Sequence, residues 1–180
     1  MRAKSVFHIL IVLLGLMCLP VSAESFYEFS LGGSKLALDI DQKRGTQYED
    51  NASAAVFALG AYRHASTKSA WGAVIEYTLP VSREEGLPGS GRLVGFRVLN
   101  YLRYIGDDAS VEAYAGAAQY EWQKTANGYL FGMSYKYGLL GQNVGLIVDL
   151  KYYQDLAFDS ALGDDIVDGY QSSLKLFYRF

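Results

Sequence analysis

Few residues of this 180-residue chain can form cross-links or bind a transition metal. The sequence has one cysteine, Cys18, and two histidines, His8 and His64. A single cysteine excludes an intrachain disulfide framework and a cysteine-based zinc site. After residue 23 there is no cysteine at all. The chain beyond that point must therefore be held together by packing, hydrogen bonds and ion pairs.

Long apolar runs are also scarce, and the one present lies at the start. Arg2 and Lys4 precede a nearly continuous apolar run over 6–19, and Ser22-Ala23 supplies small residues after it. This pattern is typical of a secretory signal peptide, and we expect residues 1–23 to be removed after Ala23. The remaining chain, 24–180, is expected to form one domain. It contains no stretch near the ~20 apolar residues of a spanning helix.

A strong excess of charge is missing as well. The formal net charge is -3, and removal of Arg2 and Lys4 makes it -5. A mildly acidic chain argues against binding of nucleic acid through a broad basic surface. Only three prolines stand against 15 tyrosines and 19 glycines, a composition that favours strands and turns.

What the sequence does have is alternation with a period of two, the signature of a β-strand with two different faces. Eight segments show it: 26–32, 52–62, 71–79, 93–104, 111–122, 129–137, 144–152 and 172–180. Asn127-Gly128 predicts a hairpin turn. The long loops are expected at 39–51, 82–91 and 154–169, where charged and turn-forming residues accumulate.

The last segment carries a family resemblance. Phe180 ends a row of alternate apolar positions that includes Tyr178, Leu176 and Leu174. This row resembles the C-terminal strand of bacterial outer-membrane β-barrels, which the barrel-insertion machinery reads. Lys175 departs from the pattern, since the family often has glycine there. The whole of 24–180 resembles the small OmpX/Opa/OmpA-transmembrane type of porin-family surface proteins.

That resemblance implies an all-β fold, an eight-stranded antiparallel transmembrane up-and-down barrel in the outer membrane of a Gram-negative bacterium. It implies a monomer in contact with outer-membrane lipid and lipopolysaccharide, without a cofactor. Strand number and strand length agree with such a barrel, because bacterial single-chain barrels have an even number of strands of about 9–11 residues.

The two faces of the strands differ in size as well as polarity. One is aromatic and apolar, and the other mixes small residues with charge. Since a narrow eight-stranded barrel has little interior room, we predict aromatics outside in lipid and charges inside. The predicted interior charges are Glu28, Glu76, Arg97, Arg103, Glu121, Lys136, Asp149, Lys151, Lys175 and Arg179. Buried charges require partners, so Glu76 is expected near Arg97, Lys136 near Asp149, and Lys175 and Arg179 near Glu28. The prediction is a filled interior without a pore.

Aromatic residues are expected in two rings at the membrane interfaces, which is the arrangement found in outer-membrane barrels. With strand 1 starting at the periplasm, the outer ring comprises Tyr77, Trp122, Tyr129, Tyr152 and Tyr170. The periplasmic ring includes Trp71, Tyr104, Tyr137, Tyr178 and Phe180, with Tyr27 beside them.

Function is less constrained than fold. A structural or surface-interaction role through the long loops is favoured, with no catalytic residue. His64-Ala-Ser66 resembles the His-x-Ser element of outer-membrane lipid A deacylases, so a lipid-modifying enzyme is a second hypothesis, but His64 falls in a turn at the periplasmic side. A narrow pore and a soluble periplasmic barrel are two further hypotheses. The acidic residues at 39, 41, 159, 164, 165 and 168 lack EF-hand spacing, and no metal site is predicted.

Overall fold

The computed structural model describes residues 24–41, 47–81, 91–122, 124–140, 143–158 and 165–180. The predicted signal peptide, 1–23, lies outside these residues, as does nearly all of the predicted loop at 82–91. In the described ranges no helix is long and apolar enough to cross a membrane.

The described residues form eight strands that pair in sequence order into a closed antiparallel barrel, with β8 pairing back onto β1. This confirms the predicted fold class. The strands are β1 Ser25–Asp41, β2 Gln47–Ser66, β3 Ser69–Pro80, β4 Arg92–Tyr104, β5 Ala109–Trp122, β6 Lys124–Gly138, β7 Val144–Phe158 and β8 Asp165–Arg179. Closure leaves no unpaired edge, so backbone groups along the wall are bonded to neighbouring strands.

The two ends of the barrel differ in their connections. At the lower end, where β1 begins and β8 finishes, short turns join β2 to β3, β4 to β5 and β6 to β7. At the upper end β1 and β2 continue as paired strands as far as Asp41 and Gln47. The strands there are longer than the sequence predicts.

The predicted loops at 39–51 and 154–169 are therefore wrong in extent. Residues 39–41 and 47–51 pair with each other in β1 and β2, and residues 154–158 and 165–169 belong to β7 and β8. These segments have the charge and turn residues of a loop. Pairing along an existing hairpin satisfies their backbone groups regardless, because strand propensity yields to context.

The predicted turn at Asn127-Gly128 is wrong in position. The connection lies earlier in the chain, since Trp122 already pairs with Lys124. Both residues of the predicted turn belong to β6, where the register against β7 shifts between Asn127 and Tyr129. A Cβ added at Gly128 would come within 2.4 Å of the Gln154 carbonyl oxygen. Glycine is required at this bulge because two backbones approach closely.

A second irregularity reverses the faces of one strand. The β4–β5 register shifts between Arg97 and Leu99, and Val98 and Leu99 are both exposed. Beyond this bulge the inward positions become Asn100 and Leu102, which are fully buried. One inserted residue moves every later side chain of the strand to the opposite face.

Candidate functional site

The inside of the barrel holds most of the buried charged and polar side chains of the described residues. Nine buried charged residues point into it, four acidic and five basic: Glu28, Glu76, Glu112, Asp149, Arg97, Lys136, Lys151, Lys175 and Arg179. They fall into two groups along the barrel axis. We call these the central cluster and the lower cluster.

In the central cluster two carboxylates hold three cations. Glu76 accepts hydrogen bonds from Arg97 and Lys151, and its Oε2 lies 3.2 Å from Lys175 Nζ. Asp149 Oδ2 lies 3.0 Å from Arg97 Nη2, 2.8 Å from Lys175 Nζ and 3.5 Å from Lys151 Nζ. Every cation therefore contacts both carboxylates, which is the arrangement that offsets the cost of removing ions from water.

The lower cluster is built on Glu28 and Glu112. Lys136 Nζ lies 2.6 Å from Glu28 Oε1 and 3.1 Å from Glu112 Oε2, while Arg179 Nε donates to Glu28 Oε2 at 2.8 Å. The Tyr62 hydroxyl donates to Glu112 Oε1 at 2.6 Å. Arg97 Nη1 is 4.0 Å from Glu112 Oε2 and connects the two clusters.

The surplus positive charge lies against aromatic rings. The guanidinium carbon of Arg179 is 4.7 Å from the centroid of the Phe177 ring and 5.2 Å from that of Phe26. The guanidinium carbon of Arg97 is 3.8 Å from the centroid of Tyr114. Ring faces attract cations, so aromatic side chains assist the four carboxylates in holding five bases.

Above the central cluster the interior is apolar. Its members, which we call the upper core, are buried and pack together: Leu36, Leu38, Ala52, Leu93, Ala118, Tyr120, Ala126, Leu130, Tyr153, Leu156 and Val167. Gln171 lies at the boundary. Its Oε1 accepts from Lys151 and Tyr153, and its Nε2 donates to Ser34 and Thr78.

Little space remains among these side chains. A cavity beside Glu28, Glu112 and Lys136 measures about 10 Å³, room for roughly one water molecule. This cavity is too small for any solute larger than a water molecule.

Eight of the ten predicted interior charges lie inside, but Arg103 and Glu121 are exposed, and their predicted placement is wrong. The bulge at Val98-Leu99 turns Arg103 outward. On β5 the inward positions are the even ones, from Glu112 to Tyr120, so Glu121 faces away from the interior. The predicted place of Tyr104 in the periplasmic aromatic girdle is also wrong. Its side chain packs inside the barrel against the cluster that contains Leu102.

Some of the predicted pairs form and others do not. Glu76 contacts Arg97 and Glu28 contacts Arg179, as the sequence predicts. Lys136 contacts Glu28 and Glu112 in place of Asp149, and Lys175 contacts Glu76 and Asp149 in place of Glu28.

The inner tyrosines and Glu112 are the residues that sequence reasoning missed. Bulky residues fit inside because glycines face them. A Cβ at Gly132 would lie 2.4 Å from the Tyr114 hydroxyl, and one at Gly72 would lie 2.4 Å from the Tyr62 ring. Position could not have identified Glu112, since Glu112 and Glu121 are each one residue from an end of the predicted segment 111–122.

The outer wall is a belt of exposed apolar side chains. They include Phe29, Leu31, Leu59, Ile75, Phe131, Met133, Val148, Leu150, Leu174 and Leu176. At the lower edge lie Trp71, Tyr137, Tyr178 and Phe180, with the Tyr178 and Phe180 ring centroids 5.8 Å apart. Toward the upper edge lie Tyr77, Tyr129, Tyr152 and Tyr170, with the Tyr152 and Tyr170 ring centroids 4.8 Å apart. The side chain of Trp122 is outside the described part.

His64 and Ser66 contact different groups in the described structure. The His64 ring is tilted against Phe26 and stacked on Tyr104, at centroid distances of 5.2 and 6.0 Å. Ser66 Oγ lies 2.8 Å from Ser69 Oγ and accepts from the Lys68 backbone N–H. Ser66 is engaged with the turn at the lower end of the barrel, and His64 with the neighbouring rings.

Comparisons with known proteins give no match to a family model and none to curated proteins. Solved structures do match. The attachment invasion locus protein Ail of Yersinia pestis, in complex with the heparin analogue sucrose octasulfate, has 15% identity and a TM-score of 0.55 over 87% of this chain and 99% of Ail. Neisserial surface protein A has 12% identity and a TM-score of 0.50 over 84% and 97%.

The outer membrane enzyme PagL is a more distant match, with 14% identity, a TM-score of 0.42 and coverage of 81% of this chain and 98% of PagL. That distance says nothing about activity. The similarity to Ail and Neisserial surface protein A extends over nearly the whole described barrel at low identity. The chain therefore has the fold of the small eight-stranded outer-membrane β-barrels.

Proposed function

We propose that this protein is an integral outer-membrane β-barrel with a filled interior and a structural or surface-interaction role. The observation that carries the proposal is the inverted polarity of the barrel. The apolar residues Phe131, Met133 and Leu150 are 44 to 62% exposed on the outer wall, while Glu76, Lys136 and Asp149 are at most 2% exposed inside. Water-soluble barrels bury apolar residues, and a wall of this kind is stable in hydrocarbon.

The aromatic residues support the same proposal. They gather at the two edges of the belt, where amphipathic rings are favoured at membrane interfaces. In a bilayer the lower end, which holds both termini of the barrel and the short turns, would face the periplasm. The upper end would face the outside and the lipopolysaccharide leaflet. Export through the signal peptide and insertion by the barrel-assembly machinery belong to this proposal.

The interior supports a non-catalytic role. Two charge clusters and an apolar core occupy the described inside of the barrel, and the cavity beside the lower cluster has room for roughly one water molecule. Contacts with other molecules would then be made by the outer wall and the upper end. By name, Ail is an attachment invasion locus protein and Neisserial surface protein A is a surface protein, and a role of that kind is compatible with a filled barrel presented as a monomer.

Membrane fractionation tests the proposal. The full chain, expressed in a Gram-negative host, is expected in the outer-membrane fraction after sodium carbonate extraction, with the signal peptide removed. A soluble periplasmic protein in the same cells serves as the control for complete release. Recovery of this chain in the carbonate supernatant would overturn the proposal in favour of a soluble barrel.

The non-catalytic part has its own test. In the same host, lipid A is extracted from cells expressing the wild-type chain and from cells expressing His64→Ala/Ser66→Ala, and both are compared with cells without the protein. The expected result is an identical acylation pattern in all three. A loss of acyl chains that requires His64 and Ser66 would identify a lipid-modifying enzyme.

A further inference from the structure

Lys35 is a charged residue on the apolar outer wall of the barrel. Below it on β1 the outward residues are Tyr27, Phe29, Leu31 and Gly33, and the next is Lys35, which is exposed. Lys35 is eight residues beyond Tyr27. With about 3.3 Å per residue and a strand tilt of about 40°, this places it roughly 20 Å higher, inside the upper part of an apolar band about 25 Å tall.

Two serines flank this lysine on the neighbouring strands. Lys35 pairs with Ser53 of β2 on one side and with Ser172 of β8 on the other. The Lys35 ammonium donates to Ser53 Oγ at 2.7 Å. Ser172 is exposed on the outer face of β8, one outward position above Leu174. An ammonium and two hydroxyl groups therefore lie side by side on a wall that is apolar below them.

The same place opens into a groove. A groove of about 530 Å³ crosses the outer wall from Lys35 to Phe131, with Leu150, Tyr152 and Tyr170 along it. The lining is mainly apolar, and its only outward charge is Lys35; no carboxylate lines the groove in the described part of the chain. This volume falls in the range of small-molecule sites, roughly 300–1,000 Å³.

Charge and shape together identify the occupant. A cation with two hydroxyl groups matches a phosphate, which accepts charge-assisted hydrogen bonds. An apolar groove beside it matches an acyl chain. A second copy of this chain in a symmetric contact would instead bring Lys35 toward another Lys35, because a two-fold interface pairs the same patch on both subunits.

We propose that the groove binds a phosphate-bearing acyl lipid of the surrounding membrane. The phosphate lies on Lys35, Ser53 and Ser172, and one acyl chain lies along Phe131, Leu150 and Tyr152. The inference rests on the proposed membrane location and adds a specific lipid site to it. Lys35 is near enough to the upper interface for its flexible stem to bring the ammonium to headgroup level.

The test is native mass spectrometry of the purified full chain in mild detergent, titrated with dioleoyl phosphatidic acid. Dioleoylglycerol has the same chains without phosphate, and glycerol 3-phosphate has the phosphate without chains. One phosphatidic acid is expected to bind at least about tenfold more tightly than dioleoylglycerol, because a charge-assisted hydrogen bond contributes more than about 1.4 kcal/mol. It is also expected to bind more tightly than glycerol 3-phosphate, because the groove buries the apolar surface of an acyl chain.

Variants assign the binding to this site. Lys35→Gln is expected to weaken phosphatidic acid binding about tenfold, while Lys35→Arg retains it. Lys68→Gln removes the same charge from an exposed position at the lower end and is expected to leave binding unchanged. Ser53→Ala/Ser172→Ala is expected to weaken it by a smaller factor, since neutral hydrogen bonds are weaker than charge-assisted ones.

The outcomes separate the competing occupants of the groove. Equal binding by wild type and Lys35→Gln, or an equal loss in Lys68→Gln, would overturn the site. Tight binding of glycerol 3-phosphate would show a free-phosphate site in place of a lipid site. If the protein forms a dimer, and if Lys35→Gln increases the dimer fraction, the groove is a contact between two copies of the chain. Carbonate extraction of wild type and Lys35→Gln is carried out in parallel. If the proteins stay in the membrane but phosphatidic acid does not bind, only the lipid site is wrong; if they are released, the proposed membrane location is wrong.

Discussion

The two halves of the barrel interior are both filled, yet by opposite chemistry. The central and lower clusters hold nine charges in contact with one another. The upper core holds leucine, tyrosine, valine and alanine. The charged half is stable when each ion has a partner, and a substitution there destabilises the barrel by leaving a buried charge unpaired. The apolar half is stable when its side chains fill the space, and a substitution there destabilises the barrel by leaving a cavity. Each half should therefore respond to a different kind of substitution.

The largest effect is expected where one carboxylate holds three cations. Glu76→Gln keeps the shape of the side chain but leaves Arg97, Lys151 and Lys175 with Asp149 as their remaining central anion. We expect a loss of about 3–5 kcal/mol in the free energy of unfolding, measured by urea titration of the barrel refolded in phospholipid vesicles.

The matched control is Glu121→Gln, an exposed carboxylate on β5. Its expected effect is within about 0.5 kcal/mol. A Glu76→Gln loss no larger than that of the control would contradict the view that ion pairing holds the central cluster.

The upper core should respond to lost volume. Leu130 is 1% exposed in the middle of this core, and Leu130→Ala is expected to cost about 2–5 kcal/mol through a cavity that the neighbours fill only in part. Leu174→Ala is the control, since this leucine is 57% exposed on the outer wall and lipid fills the space it leaves. The same urea titration measures both. Equal losses would mean that the upper core is loosely packed.

A smaller effect is expected where the wall makes room for a tyrosine. A Cβ at Gly132 would lie 2.4 Å from the Tyr114 hydroxyl and 2.6 Å from the Leu150 carbonyl oxygen, whereas nothing lies within 4 Å of one at Gly33. Gly132→Ala is expected to destabilise by about 1–3 kcal/mol through overpacking. Gly33→Ala should change stability little. The difference between the two unfolding free energies is the readout, and its absence would disprove the matching of glycine to inner tyrosine.

The smallest effect concerns one hydroxyl group. Tyr62→Phe removes the donor to Glu112 and a 3.3 Å acceptor for Lys136 while keeping the ring. Because Glu112 retains Ser134 and Lys136, the expected loss is about 1–2 kcal/mol. Tyr135→Phe on the outer wall provides the baseline. A Tyr62→Phe variant as stable as that baseline would show that the hydroxyl adds nothing to the lower cluster.

The barrel itself could be predicted from the sequence because one regular signal repeats eight times. The alternation of apolar and polar residues shows which residues share a face of a strand. In most strands the same parity, odd or even, faces inward from one end to the other. Residues such as Glu76, Lys136 and Asp149 follow from that phase alone, because each lies between apolar residues at positions of the opposite parity.

The errors have two physical sources. A bulge shifts the phase without a visible mark in the sequence, and this turned Arg103 outward and Tyr104 inward. The assumption that only small residues line a narrow interior reversed β5, because glycines on other strands make room for Tyr62 and Tyr114. Such compensation depends on which residues become neighbours across strands, which a single strand does not reveal. The partners that Lys136 and Lys175 contact depend on it too.

The central claim is that the interior is closed as well as charged, and single-channel recording tests it most directly. The full-length barrel, refolded and reconstituted into planar lipid bilayers, is expected to give a flat baseline without stable conductance steps. Leu130→Ala should behave likewise, since the charged clusters still fill the barrel below it. Stable, large conductance steps from the wild-type protein would contradict the account.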